Sequence, residues 1–369
     1  MRVTLVVGMH RSARRHTVDA LLAESDGSVV VHHDMSEIGE GTVRRLTRDG
    51  TGAVDEHEGD LVHACASCTV REDLIPFLLR TAGEGAHDLC VVEAWDGVEP
   101  RLIAESIADE EALHLTAVIA AVRSEDLLDD LYCHDLLEDR GLDIAQDDER
   151  SVTEVLSRQV EYASAITVHG ADAEHGTDGI RALLEQLNPA AAVIGAGSVL
   201  AGFTRGTFDT EAAHARSNPA WAWYGDRADG RVRTVTWTRT RPLHPERFAE
   251  ALEGVVSLGS RGRGRFWLAG RPDDLLVWES YGDLLMVEHG GPWLAALPEA
   301  ALELVPEARR VRARLDWNPE IGDRRQHLAF TGVDMEVDEL IGLLDSCLVT
   351  DEESGQEFLT DPFAEFSER

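Results

Sequence analysis

Apolar and polar positions alternate along the first half of the chain in two rhythms. Short apolar runs at residues 3–7, 29–33, 88–93, 115–122, 165–169 and 190–194 predict strands. Between them, residues 72–80, 101–107, 153–162 and 179–186 read as helices. Strand alternating with helix predicts an α/β domain on a doubly wound, mostly parallel sheet. The acidic run 143–150 predicts a solvated loop or helix entry.

Near residues 203–232 the texture changes. Small and polar residues, Asn218-Pro219 and the pair Trp221 and Trp223 predict a linker. Beyond it come a strand over 231–240 and a helix start at Pro245. Short strands follow near 265–269, 275–280, 284–289 and 327–331. A helix is predicted over 337–348, where Leu340, Leu343, Leu344 and Cys347 share one stripe. This second pattern predicts a smaller α+β domain. The expected division is a first domain at 1–205, a linker at 206–232 and a second domain at 233–369, in keeping with a length of 369 residues.

Charge and cysteine content narrow the function classes. The 34 basic residues face 69 acidic ones, and a formal charge of −35 opposes non-specific attraction to DNA or anionic lipid. No run approaches the roughly 20 apolar residues that span a bilayer. Five unevenly spaced cysteines predict free thiols rather than a disulfide framework. With a strand where a leader would be, the expectation is a cytoplasmic protein without membrane or DNA partners.

The opening residues carry the first candidate chemistry. An apolar strand runs into Gly8 and then into a helix with Val18, Leu21 and Leu22, the outline of a nucleotide-binding P-loop. A working loop, GxxxxGK[ST], cradles phosphate on backbone N–H groups, reaches it with lysine and holds magnesium with a hydroxyl. Here Ala13, Arg14 and Arg15 occupy the positions of glycine, lysine and hydroxyl, and the chain contains no lysine at all. A planar guanidinium replaces a compact ammonium poorly inside a wrapped loop. Each lost buried charge contact costs about 2–5 kcal/mol. Tight binding of GTP with magnesium is therefore not expected.

The second candidate is Cys65-Ala-Ser67-Cys68. A CxxC supplies two soft thiolates, whereas zinc takes four donors, or three and water. The remaining donors are expected from His63, His33 or Glu37, since loops after neighbouring strands meet at one sheet edge. Adjacent packing cysteines and a redox dithiol are the alternatives. Arg261-Gly-Arg263-Gly-Arg265 forms a third candidate: strand alternation would align three arginines on one face. They would meet RNA phosphates, an acidic partner, or the chain's own carboxylates.

Taken in order, these motifs resemble the CobW family of P-loop GTPases, many of which are metal chaperones or insertion factors. His33-Asp34-Met35-Ser36-Glu37 resembles the family's N-D/E-F-x-E segment. Cys65-Ala-Ser67-Cys68-Thr-Val-Arg71-Glu-Asp73-Leu74 resembles C-x-C-C-x-x-R-x-D-L, and Glu93-Ala-Trp95-Asp96-Gly97-Val-Glu-Pro100 resembles E-x-x-G-x-x-x-P. The guanine reader falls at His169-Gly170-Ala171-Asp172, where only Asp172 matches. In the second half, Arg241-Pro-Leu-His244, the arginine run and Trp317-Asn-Pro-Glu-Ile-Gly322-Asp323 are close matches.

The resemblance implies a P-loop domain followed by a CobW C-terminal domain, nucleotide contacts at Gly8, Arg14, Arg15 and Asp172, and zinc at Cys65, Cys68, Glu37, His33 and His63. The departures imply a non-hydrolysing adaptor, with a GTP-hydrolysing zinc chaperone as the alternative. Trp95 and Asp96, in place of small residues, oppose a polyphosphate by bulk and charge. The C-x-S-C and degraded loop further resemble recruiters of ribosome-hibernation factors acting under zinc limitation. That implies a protein partner, such as a hibernation factor or the small ribosomal subunit.

Overall fold

The computed structural model describes residues 1–145, 148–170, 176–195, 197–356, 358 and 360–364. Its chain divides into two units, Met1–His214 and Ala215–Arg369.

The first unit is built on eight strands: β1 Arg2–Val7, β2 Ser28–Asp34, β3 Thr42–Asp49, β4 Val54–Asp60, β5 Leu89–Glu93, β6 His114–Arg123, β7 Ala165–His169 and β8 Ala192–Gly195. They lie in the order β4-β3-β2-β5-β1-β6-β7-β8. From β2 to β8 every pairing is parallel, and β3 and β4 add an antiparallel edge. Strands covered on both faces favour apolar residues at successive positions, which is why β1 and β5 are mainly apolar, broken only by Arg2, Thr4 and Glu93. The helices are α1 Arg11–Ala23, α2 Ala66–Thr69, α3 Ile75–Glu84, α4 Pro100–Ala108, α5 Leu127–Tyr132, α6 Val152–Tyr162, α7 Gly176–Leu187 and α8 Thr210–Ser217. A single π-type turn, Val70–Leu74, joins α2 to α3. Helix α1 buries Ala13, Val18 and Leu21 against Val6, Val91 and Ile119.

Chain order and strand order part company at β1. The chain leaves β1 towards β2 on one side and later crosses to β6 on the other. The carboxyl ends of β1, β5 and β6 therefore frame the crevice where such sheets place ligands. Gly8 turns the chain there at φ 153, and any Cβ would collide with the carbonyl oxygen of Ala121.

The second unit is a six-stranded antiparallel sheet. Its strands are β9 Arg227–Asp229, β10 Val232–Arg239, β11 Arg261–Leu268, β12 Arg271–Tyr281, β13 Leu284–Pro292 and β14 Gln326–Val333. They are ordered β13-β12-β11-β14-β10-β9. Helices α9 Pro245–Gly259 and α11 Val337–Ser346 contribute to its core, and α10 Glu307–Asp316 completes the set. Trp237, Phe248, Phe266, Trp278 and Phe330 fill that core, with Phe248 and Phe266 edge to face at 5.2 Å. Pro245 opens α9, and the His244 ring caps it by accepting from the Arg247 N–H at 3.4 Å.

Two sequence expectations change. No strand was expected over 42–60, yet β3 and β4 lie there. The segment expected as a linker holds α8 and β9. For the arginine run, the reading that holds is pairing with the chain's own carboxylates, and all of β11 is buried. Arg261 pairs with Glu279 at 2.9 Å, Arg265 with Asp316 at 2.6 Å, and Arg263 lies over the Tyr224 ring at 4.2 Å. Their charge is spent inside the unit. Among the described residues no helix is long and apolar enough to cross a membrane.

Candidate functional site

The loop after β1 is the first cluster. Arg14, at the position of the P-loop lysine, has a wholly buried side chain. Its Nη1 donates to the Gly8 carbonyl oxygen at 2.6 Å, and its Nη2 forms an ion pair with Asp96 beyond β5. The guanidinium has folded back into its own loop. Trp95 beside it is buried and meets the His33 ring edge to face at 6.1 Å. Among the described residues the Trp95 indole N–H and Arg14 Nε find no hydrogen-bond partner.

Next to Gly8 and Arg14 along the chain, His10 meets two carboxylates. His10, the N-cap of α1, makes no capping hydrogen bond and instead meets Asp130 at 2.8 Å and Asp126 at 3.6 Å. Burial alone would raise the Asp130 carboxyl, but His10 and Arg140 hold it below the usual range. Arg15 is exposed on α1. The Thr17 hydroxyl turns inward, to Thr167 at 2.7 Å and the His169 ring at 2.8 Å. His169 stacks on His16 at 5.7 Å, and burial followed by His16 lowers its pKa. Gly170 lies so close to the Glu125 carboxylate that a Cβ there would collide with it. Asp172 lies outside the described residues.

The thiol pair forms the second cluster. Cys65 caps the helical stretch opened by α2, its Sγ accepting from the Cys68 N–H at 3.4 Å. The Cys68 Sγ is 3.8 Å from His63 Nδ1 and accepts from Arg71 Nη2 at 3.4 Å. Burial, and then Cys65, push the Cys68 thiol up. The structure thus brings His63, Cys65 and Cys68 together.

It gives His33 and Glu37 other surroundings. The buried His33 ring meets Asp73 at 2.7 Å, and Arg45 from β3 donates to both oxygens of the same carboxylate. Burial would raise Asp73, but these two partners outweigh it and hold its pKa at about 2. Glu37 is exposed, ahead of a short 3₁₀ turn. Among the described residues no three His, Cys, Asp or Glu side chains converge as a ready-made metal site. Sequence reasoning missed the Arg45–Asp73–His33 cluster because Arg45 sits on the unforeseen strand. Asp73 itself stood in the quoted cysteine motif.

Residues 232–348 match the model of the cobalamin synthesis protein cobW C-terminal domain. The chain is 27% identical to the zinc chaperone Rv0106 of Mycobacterium tuberculosis, over 99% of this chain and 93% of that protein. It is 25% identical to the zinc-regulated GTPase metalloprotein activator 1 of Dictyostelium discoideum, over 95% and 80% respectively. Among solved structures it is similar to the Zn(II)-bound YjiA GTPase from E. coli, at 15% identity over 95% of this chain and 99% of that one. The TM-score of 0.36 is too low for that likeness to bear on the site. The second unit thus carries a cobW C-terminal domain, and along nearly its whole length the chain is similar to proteins named for zinc handling.

Proposed function

We propose that this chain is a zinc-handling CobW protein that has given up GTP hydrolysis and works as an adaptor for a protein client. The observation that carries the proposal is the Arg14–Asp96 pair. The cation that would meet a phosphate is fully buried and already neutralised. A triphosphate would have to break an ion pair whose guanidinium is buried and then face Asp96 itself, a loss of about 2–3 kcal/mol once the partial exposure of Asp96 is allowed for. The hydroxyl that would hold magnesium is an exposed arginine at position 15. The residues present do not fit magnesium triphosphate.

For zinc, taken as cargo, the fit is partial. Cys65, Cys68 and His63 are chemically suitable donors gathered at one helix start. A tetrahedral ion needs more, so the chain anchors the metal without enclosing it. The names of its relatives, a zinc chaperone and a zinc-regulated activator, support this reading. A ribosome-hibernation factor or the small ribosomal subunit as partner rests on the family resemblance alone.

Isothermal titration tests both halves. The full chain should give no heat with GTP and magnesium, and micromolar binding with turnover would restore the GTPase alternative. Zinc should bind the native chain and lose affinity in a Cys65→Ser/Cys68→Ser variant. Equal binding by both proteins would remove the cysteine pair from the function.

A further inference from the structure

The two thiols can do chemistry as a pair, with sulfur alone. Both are free, the Cys65 Sγ accepts from the Cys68 N–H at 3.4 Å, and the two thiols lie within hydrogen-bond reach of each other. The Thr69 N–H closes the same turn onto the Cys65 carbonyl oxygen at 3.1 Å. A helical turn sets Cα atoms three positions apart at about 5 Å, inside the roughly 4.4–6.8 Å that a disulfide bridges.

Their access differs. Cys65 is half-buried and, with Ser67, lines a cleft of about 470 Å³, whereas Cys68 is buried and forms no part of the cleft wall. Thiol–disulfide exchange needs this division of labour. The attacking sulfur must meet the incoming disulfide, and the sulfur that resolves the mixed disulfide need only reach its neighbour. Behind Cys68, Arg71 Nη2 donates to its Sγ at 3.4 Å, and a cation there favours the thiolate. His63 Nδ1, 3.8 Å from the same sulfur, is placed to take its proton. Cys133 is half-buried too, but its thiol meets the Thr153 hydroxyl and the Asp130 carbonyl oxygen.

The cleft selects the substrate. Its size falls in the roughly 300–1,000 Å³ range of sites that hold small ligands or a few residues of peptide. Leu102 and Ile144 give it apolar walls. Arg150 is bonded to Asp148 at 2.7 Å and lies 3.6 Å from Glu99, while Arg101 is bonded to Glu105 at 2.7 Å. Three carboxylates thus face two guanidiniums, a balance that disfavours an anionic disulfide and admits an uncharged one.

We infer that Cys65 and Cys68 reduce a disulfide carried on an uncharged peptide segment docked in this cleft. The Cys65 sulfur attacks one peptide sulfur, the peptide S–S bond breaks, and the departing thiolate takes up the Cys65 proton. The Cys68 sulfur then attacks the Cys65 sulfur, its proton passing through His63 to the second departing thiolate. Two electrons and two protons leave the pair: the peptide disulfide becomes two thiols, and Cys65 and Cys68 become a disulfide. Two molecules of a small thiol restore the pair and depart as their own disulfide. This activity belongs to the metal-free chain and stands whether or not the zinc reading does.

The full chain, reduced and stripped of metal with EDTA, is mixed with the disulfide dimer of acetyl-Gly-Cys-Gly-Leu-amide and followed by intact mass and released thiol. The native chain should lose two hydrogens, keep no peptide and release two peptide thiols. Cys68→Ser should stall with one peptide joined to Cys65, and Cys65→Ser should react at least about tenfold more slowly. Leu102→Trp, or Ala145→Trp should the first variant fold poorly, should slow the peptide disulfide about tenfold relative to hydroxyethyl disulfide. Glutathione disulfide, an anion, should also react more slowly than the peptide. A native chain that stays reduced, or that keeps a bound peptide without closing its own disulfide, overturns the inference. So does peptide joining Cys133 as fast as Cys65, a folded cleft variant with an unchanged rate ratio, or glutathione disulfide reacting as fast as the peptide.

Discussion

Replacing Asp96 with alanine should unlock the loop after β1, and the size of the effect follows from burial. Arg14 is 0% exposed and Asp96 36% exposed. Removing one partner of a wholly buried pair costs about 3–5 kcal/mol. Water reaching the vacated carboxylate position offsets part of this, so Asp96→Ala should lose about 2–3 kcal/mol. The remaining bond from Arg14 to the Gly8 carbonyl cannot neutralise the charge. The reciprocal change, Arg14→Met, leaves an Asp96 that water can solvate, and should cost less. In urea, followed by far-UV circular dichroism, Asp96→Ala should lower the first unit's midpoint by about 1 M at an m-value of ~2–3 kcal/mol/M. Inorganic phosphate should then recover about 1.4 kcal/mol at ten times its dissociation constant, with little effect on the native chain. A loss below about 0.5 kcal/mol, within the range of ordinary surface changes, would refute the buried-pair argument. Equal phosphate stabilisation of both proteins would show that the native loop is open to anions.

Three further predictions test other parts of the structure. Gly8→Ala should cost at least about 2 kcal/mol, because the new Cβ meets the Ala121 carbonyl at a backbone angle favouring glycine; thermal unfolding measures it. His327 has its pKa lowered to about 2 by burial and then by Arg265, Arg312 and Arg325, while unfolding returns it towards 6.5. The unfolded chain therefore binds the extra proton, and the stability present above pH 6.5 is lost as pH falls, by about 1.4 kcal/mol between pH 7.5 and 5.5. Tryptophan fluorescence in urea should show this increment in the native chain and not in His327→Gln; identical slopes would refute it. Asp73→Asn should cost about 2 kcal/mol by leaving the buried Arg45 and His33 short of an acceptor, and a melting temperature unchanged within error would contradict the cluster.

The parallel sheet was legible because its strands are mainly apolar through their middles, as burial on both faces favours. The β3–β4 hairpin was not, because β4 is exposed along nearly its whole length and reads as a polar loop, Val-Asp-Glu-His-Glu-Gly-Asp. Its pairing follows from β3 beside β2 and not from its own pattern. The arginines of β11 were legible in part, since pairing with the chain's own carboxylates was among the readings of the run. Alternation correctly implied a strand, but burial depended on Glu279 and Asp316, which no local spacing connects to them.

The loop after β1 divides the same way. The missing lysine and hydroxyl could be read directly, and so could the unusual aspartate beyond β5, yet as two separate departures from a family pattern. In the folded chain they are one feature. A buried guanidinium without a carboxylate is too costly to keep, whereas Asp96, partly exposed, can be solvated by water when Arg14 is absent. The arginine at position 14 is tolerable only with the aspartate present. The loop is therefore a closed structural joint with its own internal counter-ion, and restoring a lysine at position 14 while Asp96 remains would rebuild the joint before it rebuilt a phosphate site.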